Sequence, residues 1–214
     1  MGVILNGILG GVSGRVAGVV GGRWKDKQYL RRYAMPANPN TTAQQGQRNK
    51  MKYGVAFIKA TIGSVANVYV DKFQRSMSGF NYTIQQNMAS WALPVVFANV
   101  KLVFGKLWAP QTVAAASNIA HISITFSGTS IGNNGATTDK IYAAAFDETL
   151  KLWYFPAAEV NRSVGTISIA LSSVNETHNM HCYCWAAKRS LTSATLIEMV
   201  SDSVYATCVY SGHA

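Results

Sequence analysis

Apolar and polar residues follow three different rhythms along this chain of 214 residues. Through residue 36 the pattern is short and broken by glycine: GGVSGRVAGVVGGRWKDKQYLRRYAMP carries Gly14, Gly18, Gly21 and Gly22 at intervals too close for a stable helix. It predicts strands over 15–20 and 23–31 with a turn at Lys25-Asp26-Lys27. Such a ribbon has no core of its own and is marginal until it pairs with or packs on something else. Pro36 and Pro39 then break the chain, and Asn40 or Thr41 can cap a helix starting there. From Thr42 to about Val70, Met51, Val55, Ile58, Ile62 and Val65 recur at helical spacing, with Gln44, Gln47, Arg48, Lys52 and Lys59 on the other faces. One amphipathic helix with a weak point at Gly63 is predicted, then a second helical piece over 81–91 that Pro94 ends.

Beyond residue 94 the period drops to two. The runs VVFANVKLVFGKLW, HISITF, DKIYAAAF, LKLWYF, VGTISIAL, MHCYCWAAK and SVYATCVY are rich in β-branched and aromatic residues and are separated by polar loops such as GTSIGNNGATTD. Short strands with alternating faces outline an antiparallel β-sandwich of immunoglobulin-like layout. The predicted fold is mainly β, α+β overall. It comprises a Gly-rich basic β-arm (1–36), a helical segment (37–94) and an Ig-like sandwich (95–214).

Composition changes this picture in two places. Hydrophobic residues make up 49% of the chain, yet no run approaches the roughly 18 to 20 uninterrupted apolar residues that span a bilayer. The start, MGVILNGILGG, lacks the positive region of a signal peptide, and Asn6 stands where a myristoylation signal needs Ser or Thr. A soluble protein made in the cytoplasm is expected. The 3 cysteines, Cys182, Cys184 and Cys208, are too few for a secreted disulfide scaffold, and Cys182 and Cys184 share one strand face, where they cannot bridge. Charge is more informative. Residues 1–106 hold 14 Lys and Arg against Asp26 and Asp71, a net of +12, whereas residues 107–214 hold 5 against 7 acids, a net of −2. Such a division fits one part that faces a polyanion or acidic partner and another that does not.

Catalytic patterns are missing from the sequence. Gly14 is followed by Arg15-Val16 where a phosphate-binding loop needs Gly-Lys-Ser/Thr, and Arg15 also occupies the last glycine position of a Ser13 nucleophile elbow. Asp147 and Glu148 are adjacent, so in a strand they point to opposite faces and cannot share a water. HNMHCYC offers His178, His181, Cys182 and Cys184 as metal-like ligands, but His181 faces away from the cysteines, and core cysteines with loop histidines is the better reading. No enzyme activity, metal or cofactor is expected.

Three segments carry a resemblance: the pattern GxSGxVxxVVGxRWK over 11–25, ANPNTTAQQGQRNKM over 37–51 and SDSVYATCVY over 201–210. Together they resemble a family of unknown function found in Bacteroidota genomes and their phages. The likeness runs over the whole chain in outline and is sharpest at Trp24-Lys25, Asn38-Pro39, Gln44, Gln47-Arg48 and Ser201 to Tyr205. Asp26 stands where that family has glycine in its hairpin. The resemblance implies no enzymology, and its phage occurrence implies a particle component.

The basic stretch GGRWKDKQYLRRY carries the functional expectation. In a continuous strand Arg23, Lys25, Lys27, Tyr29 and Arg31 would share one nearly all-cationic face. With Arg15 and Arg32, and with Arg48, Lys50 and Lys52 at the helix start, these cations are the candidate contacts to nucleic acid or a partner. Six cations from Arg15 to Arg32, each on a phosphate, would give a log–log salt slope on the order of −5. Val16, Val19, Val20, Trp24 and Tyr29 are the candidate packing residues of an assembly arm. The expectation is a structural, self-assembling subunit of a phage-like virion, assembled in the bacterial cytoplasm. Its partners are other copies of itself, other particle subunits, and DNA or RNA through the arm. The alternatives are a sequence-independent nucleic-acid-binding protein in the cytoplasm and a non-viral surface or filament protein.

Overall fold

The structure, a computed structural model, describes residues 3–4, 12–24, 27–35, 37–38, 40–70, 77–92, 94–118, 120–171, 177–190 and 196–211. The chain divides into two compact units, 1–41 and 42–214. In the first, four antiparallel strands form a meander in chain order: β1 (Val3–Ile4), β2 (Val12–Val16), β3 (Val19–Trp24) and β4 (Lys27–Arg32). The short strands expected over 15–20 and 23–31 are therefore cut differently. Ala17 takes a left-handed backbone (φ 49°) and turns the chain with Gly18 between β2 and β3, inside the stretch expected to be one strand.

In the second unit the helical expectation resolves into α1 (Thr42–Lys59), a π-helical segment (Ile62–Val70) and α2 (Gly79–Gln86). The break falls just before Gly63, because Thr61 returns both its amide and its hydroxyl to the Ile58 carbonyl, each at 2.9 Å, and ends the α1 ladder. Among the described residues nine strands come after these helices: β5 (Ala114–Ser117), β6 (His121–Thr125), β7 (Lys140–Asp147), β8 (Trp153–Tyr154), β9 (Val160–Asn161), β10 (Thr166–Ala170), β11 (Thr177–Arg189), β12 (Ile197–Val200) and β13 (Val204–Ser211). A small sheet has the order β10-β6-β5. The larger sheet is centred on β11, which pairs with β7 along one edge and with β13 and then β12 along the other. β8 and β9 extend β7 on its outer edge. The fold is thus mainly β and α+β, with an antiparallel sandwich as expected.

The alternation pattern alone does not reveal a third layer. Alternate residues of β11 point to opposite sides, and both sides are buried. Met180, Cys182, Cys184 and Ala186 meet Ile141, Ala143 and Ala145 of β7 and the small sheet's Ile122, Ile124, Ile167 and Ile169 in one core. Tyr183, Trp185 and Ala187 meet Ala144 and Phe146 of β7 and the helical layer's Phe57, Ile58, Tyr69, Ile84 and Trp91 in another. A sheet covered on both faces reads as a continuous apolar run, which is how DKIYAAAF and HCYCWAA are written.

The first of the seven predicted strand runs is not a strand. In place of a regular ladder, several of its amides donate to side chains, Lys101 N to Asn87 Oδ1 (2.8 Å), Leu102 N to Ser203 Oγ (2.9 Å) and Gly105 N to Asp202 Oδ1 (3.0 Å), while the Val103 carbonyl accepts from Ser203 N and Leu107 N donates to the Val200 carbonyl, each at 3.0 Å. Ser201 Oγ meanwhile accepts from Ala186 N at 2.8 Å. The Ser201-Asp202-Ser203 corner between β12 and β13 therefore stitches residues 101–105 to the larger sheet. Gly105 passes so close to β12 that an added methyl would collide with the Val200 carbonyl.

Trp185 is 1% exposed and bridges sheet and helices, with its ring edge-on to Tyr69 at 5.4 Å. Trp185→Ala is expected to cost about 3–5 kcal/mol in urea unfolding. Gly105→Ala, which forces two backbones apart, is expected to cost about 1–3 kcal/mol. A loss below about 1 kcal/mol for Trp185→Ala would refute the packing of the helical layer on β11.

Candidate functional site

The arm's geometry derives from one parity. A two-residue connection links β3 to β4, so Arg23 pairs with Gln28, Gly22 with Tyr29, Gly21 with Leu30, Val20 with Arg31 and Val19 with Arg32. Odd positions of β3 thus share a face with even positions of β4. The single cationic face expected for a continuous strand is not formed. One face holds Arg23 and Arg32 with Val16, Val19 and Leu30, and the other holds Arg15 and Arg31 with Val20 and Tyr29. Lys25 and Asp26 lie outside the described residues, as do the side chains of Trp24 and Lys27.

Local contacts fix several of these side chains. The Arg15 guanidinium sits 3.7 Å from the centre of the Tyr33 ring, a cation–π contact, and its Nε donates to the Ala17 carbonyl at 3.2 Å. The Tyr29 ring crosses its partner Gly22 so closely that a Cβ there would fall 2.7 Å from Tyr29 Cζ, which explains why this pair position is glycine. Among the arm residues whose burial is described, Gly21 alone is buried. Val16, Val19 and Leu30 are exposed together on one face, Leu30 at 64%. Leu30 is not among the packing residues expected from a straight strand; the parity of a two-residue hairpin places it beside Val19.

On α1, Arg48 and Lys52 are exposed and lie one turn apart, whereas Lys50 is half-buried. Met51, expected on the apolar face, is exposed, because α1 meets the body of its unit only from Gly54 onward. At Gly54 the Trp91 indole lies where a Cβ would be, 2.6 Å from Nε1.

The His and Cys group is a set of structural contacts. His178 Nδ1 lies 2.5 Å from Asp147 Oδ2, and the other Asp147 oxygen accepts from Thr149 N and Leu150 N, which shapes the β7–β8 turn. Asp147 and Glu148 diverge as expected: Glu148 lies on the opposite side, 3.4 Å from His181 Nε2. His181 also pairs with the Tyr205 hydroxyl (2.8 Å) and stacks on Phe97 with ring centres 4.0 Å apart. Cys182 and Cys184 face the sandwich core. A hydrogen bond to Cys208 and burial push the Cys182 thiol up, and burial alone pushes Cys184 up to about 12. Thiols held in this way are poor ligands and poor nucleophiles. Among the described residues no three His, Cys, Asp or Glu side chains form a group that could hold a metal. Nor is any single described helix long and apolar enough to cross a membrane.

Residues 11–197 match a family of unknown function, DUF6266, and the chain belongs to that family. No curated protein and no solved structure matches it. The matched range takes in the arm from residue 11, the helices and the sandwich as far as Ile197, including the Trp24-Lys25 and Gln47-Arg48 positions that carried the resemblance, while Ser201 to Tyr205 lies beyond it.

His181 yields a pH prediction. Burial lowers its pKa below the ordinary 6.5, against the opposing pull of Glu148. The unfolded chain therefore binds this proton more readily, so the stability that His181 contributes is complete above pH 6.5 and is lost as pH falls through the folded value. Urea melts across this range should show a flatter acid limb for His181→Gln than for the parent chain, and parallel limbs would exclude the assignment.

Proposed function

We propose that this chain is a non-enzymatic structural subunit that assembles with copies of itself in a phage-like particle, as a capsid or virion-associated component, through its basic arm. The observation that carries this reading is the arm's open face. A thin sheet with Val16, Val19 and Leu30 exposed on one side has too little buried apolar surface to be stable in water alone. Its occupant is a second copy of this chain. Residues 1–41 carry six Lys and Arg against Asp26, while residues 107–214 carry a net of −2, so the arm of one copy complements the sandwich of the next. A contact of arm on sandwich joins two different surfaces, and repetition of such a contact builds rings, shells or fibres.

Contact with nucleic acid is the arm's second role, favoured by Arg15 and Arg31 lying on one face. The division of cations between faces limits its strength. A polyanion on one face meets two or three cations, so the log–log salt slope for duplex DNA is expected near −2 to −3 in place of −5. Anisotropy titrations at several salt concentrations read this directly, and a flat response would remove the role.

Assembly is tested by light scattering and negative-stain microscopy of the full chain beside the triple variant V16K/V19K/L30K. The parent is expected to form closed rings or shells and the variant to stay monomeric, with the thermal midpoint of the 42–214 unit unchanged. A monomeric parent with an ordered arm would overturn the proposal.

A further inference from the structure

The larger unit carries an open cleft that the assembly reading does not use. It has two adjoining lobes of about 550 Å³ each, with Gly105, Lys106 and Asp202 common to both. One lobe is lined by Tyr82 and Phe104, whose rings meet edge to face at 5.4 Å. The other is lined by Trp108, with the amides of Gln111, Asn133 and Asn134 around it.

Trp108 is held in a way that its packing alone does not require. It is 43% exposed, yet both its backbone groups are anchored: its amide donates to Asn134 Oδ1 (3.0 Å), and its carbonyl accepts from Arg162 Nη2 (2.6 Å). Arg162 is fully buried and also donates to the Ser130 carbonyl at 3.1 Å, while Asn134 donates back to the Lys106 carbonyl at 2.6 Å. One side of the indole rests on Gly132, whose left-handed backbone (φ 54°) and missing Cβ make room for it; a methyl there would collide with the ring. A partly exposed indole that rests on Gly132, on a backbone anchored by Asn134 and Arg162, loses little entropy when a ligand stacks on it.

The charges around the cleft select the ligand. Lys101 is neutralised by Asp202 at 2.6 Å, and Lys106 is balanced by Glu198 in the same lobe. Cations are not in excess here, in contrast to the arm, so a phosphate chain gains nothing from entering. The geometry points to a neutral polysaccharide. The C–H face of a sugar ring, weakly positive, stacks on the electron-rich indole of Trp108, and its hydroxyls exchange hydrogen bonds with the side-chain amides and charged groups of the cleft. Two adjoining lobes, each with an aromatic group in its lining, suit several linked sugar units better than one.

The test uses the full chain titrated calorimetrically with cello-, malto-, manno- and chitohexaose, with oligothymidylate as the charged probe. Binding of at least one hexasaccharide is expected, weakened at least about tenfold in Trp108→Ala and less in Trp108→Phe. The anchors to residue 108 are backbone groups, so the thermal midpoint of these variants should be unchanged. In the parent chain, magnetisation transfer from the bound sugar to the Trp108 indole provides a readout independent of the variants. No hexasaccharide binding, undiminished binding by Trp108→Ala, transfer that bypasses Trp108, or displacement of the sugar by oligothymidylate would each overturn the proposal.

Discussion

Strand β11 is buried on both faces, and the rest of the larger unit is arranged to satisfy that condition. Residues on its two sides differ in size. Cys182, Cys184 and Ala186 on the sandwich side leave room for the isoleucines of β6 and β10, while Tyr183 and Trp185 on the other side reach into the helical layer. A small sheet alone would leave the aromatic side wet, and helices alone would leave the small side unpacked. Both layers are needed, and close-packed interiors make each dependent on the residue sizes facing it.

The same condition orders residues that belong to no regular element. The segment after α2 crosses the aromatic side of the sheet, where Val100, Leu102 and Val103 are buried. A buried extended segment must satisfy its backbone groups, and with only isolated backbone pairing at Val103 and Leu107 it also uses the side chains of Asn87, Asp202 and Ser203. Ser201 to Ser203 thus acts as a clamp through side-chain and backbone hydrogen bonds together, and the cleft lies beside it at Gly105 and Lys106.

Much of this is legible in the sequence where one residue's role depends on its near neighbours. DKIYAAAF and MHCYCWAAK announce buried central strands, and the opposite directions of His181 and Cys182 are set by strand alternation alone. The rest depends on distant partners. Nothing within VVFANVKLVFGKLW reveals that its hydrogen bonds go to residue 87 and to the 201–203 corner, so its apolar alternation imitates a strand. β5, written AAAS, has little strand propensity and forms because β6 lies beside it. In the arm the difference is one of register: the cations are present as the sequence implies, but the pairing of Trp24 with Lys27 reverses the parity between β3 and β4 and divides them between faces. The cleft is invisible in the sequence for a similar reason, since Trp108, Asn134 and Arg162 converge from three separate segments.

The arm and the sandwich differ in what stabilises them, and this bears on how assembly could be controlled. The 42–214 unit has two hydrophobic cores, whereas the described part of the arm buries only Gly21. An element with so little internal packing gains most of its stability from whatever it binds, so its order and its association are thermodynamically linked. If the arm joins a neighbouring copy as proposed, the cost of ordering it is met at that contact. That lowers the affinity of a single contact without making it less specific. Closed assemblies tolerate such weak contacts well, because a copy held through two neighbours at once is retained by both. In such an assembly the arginines on both faces of the arm would repel other free arms and favour a less basic surface as partner.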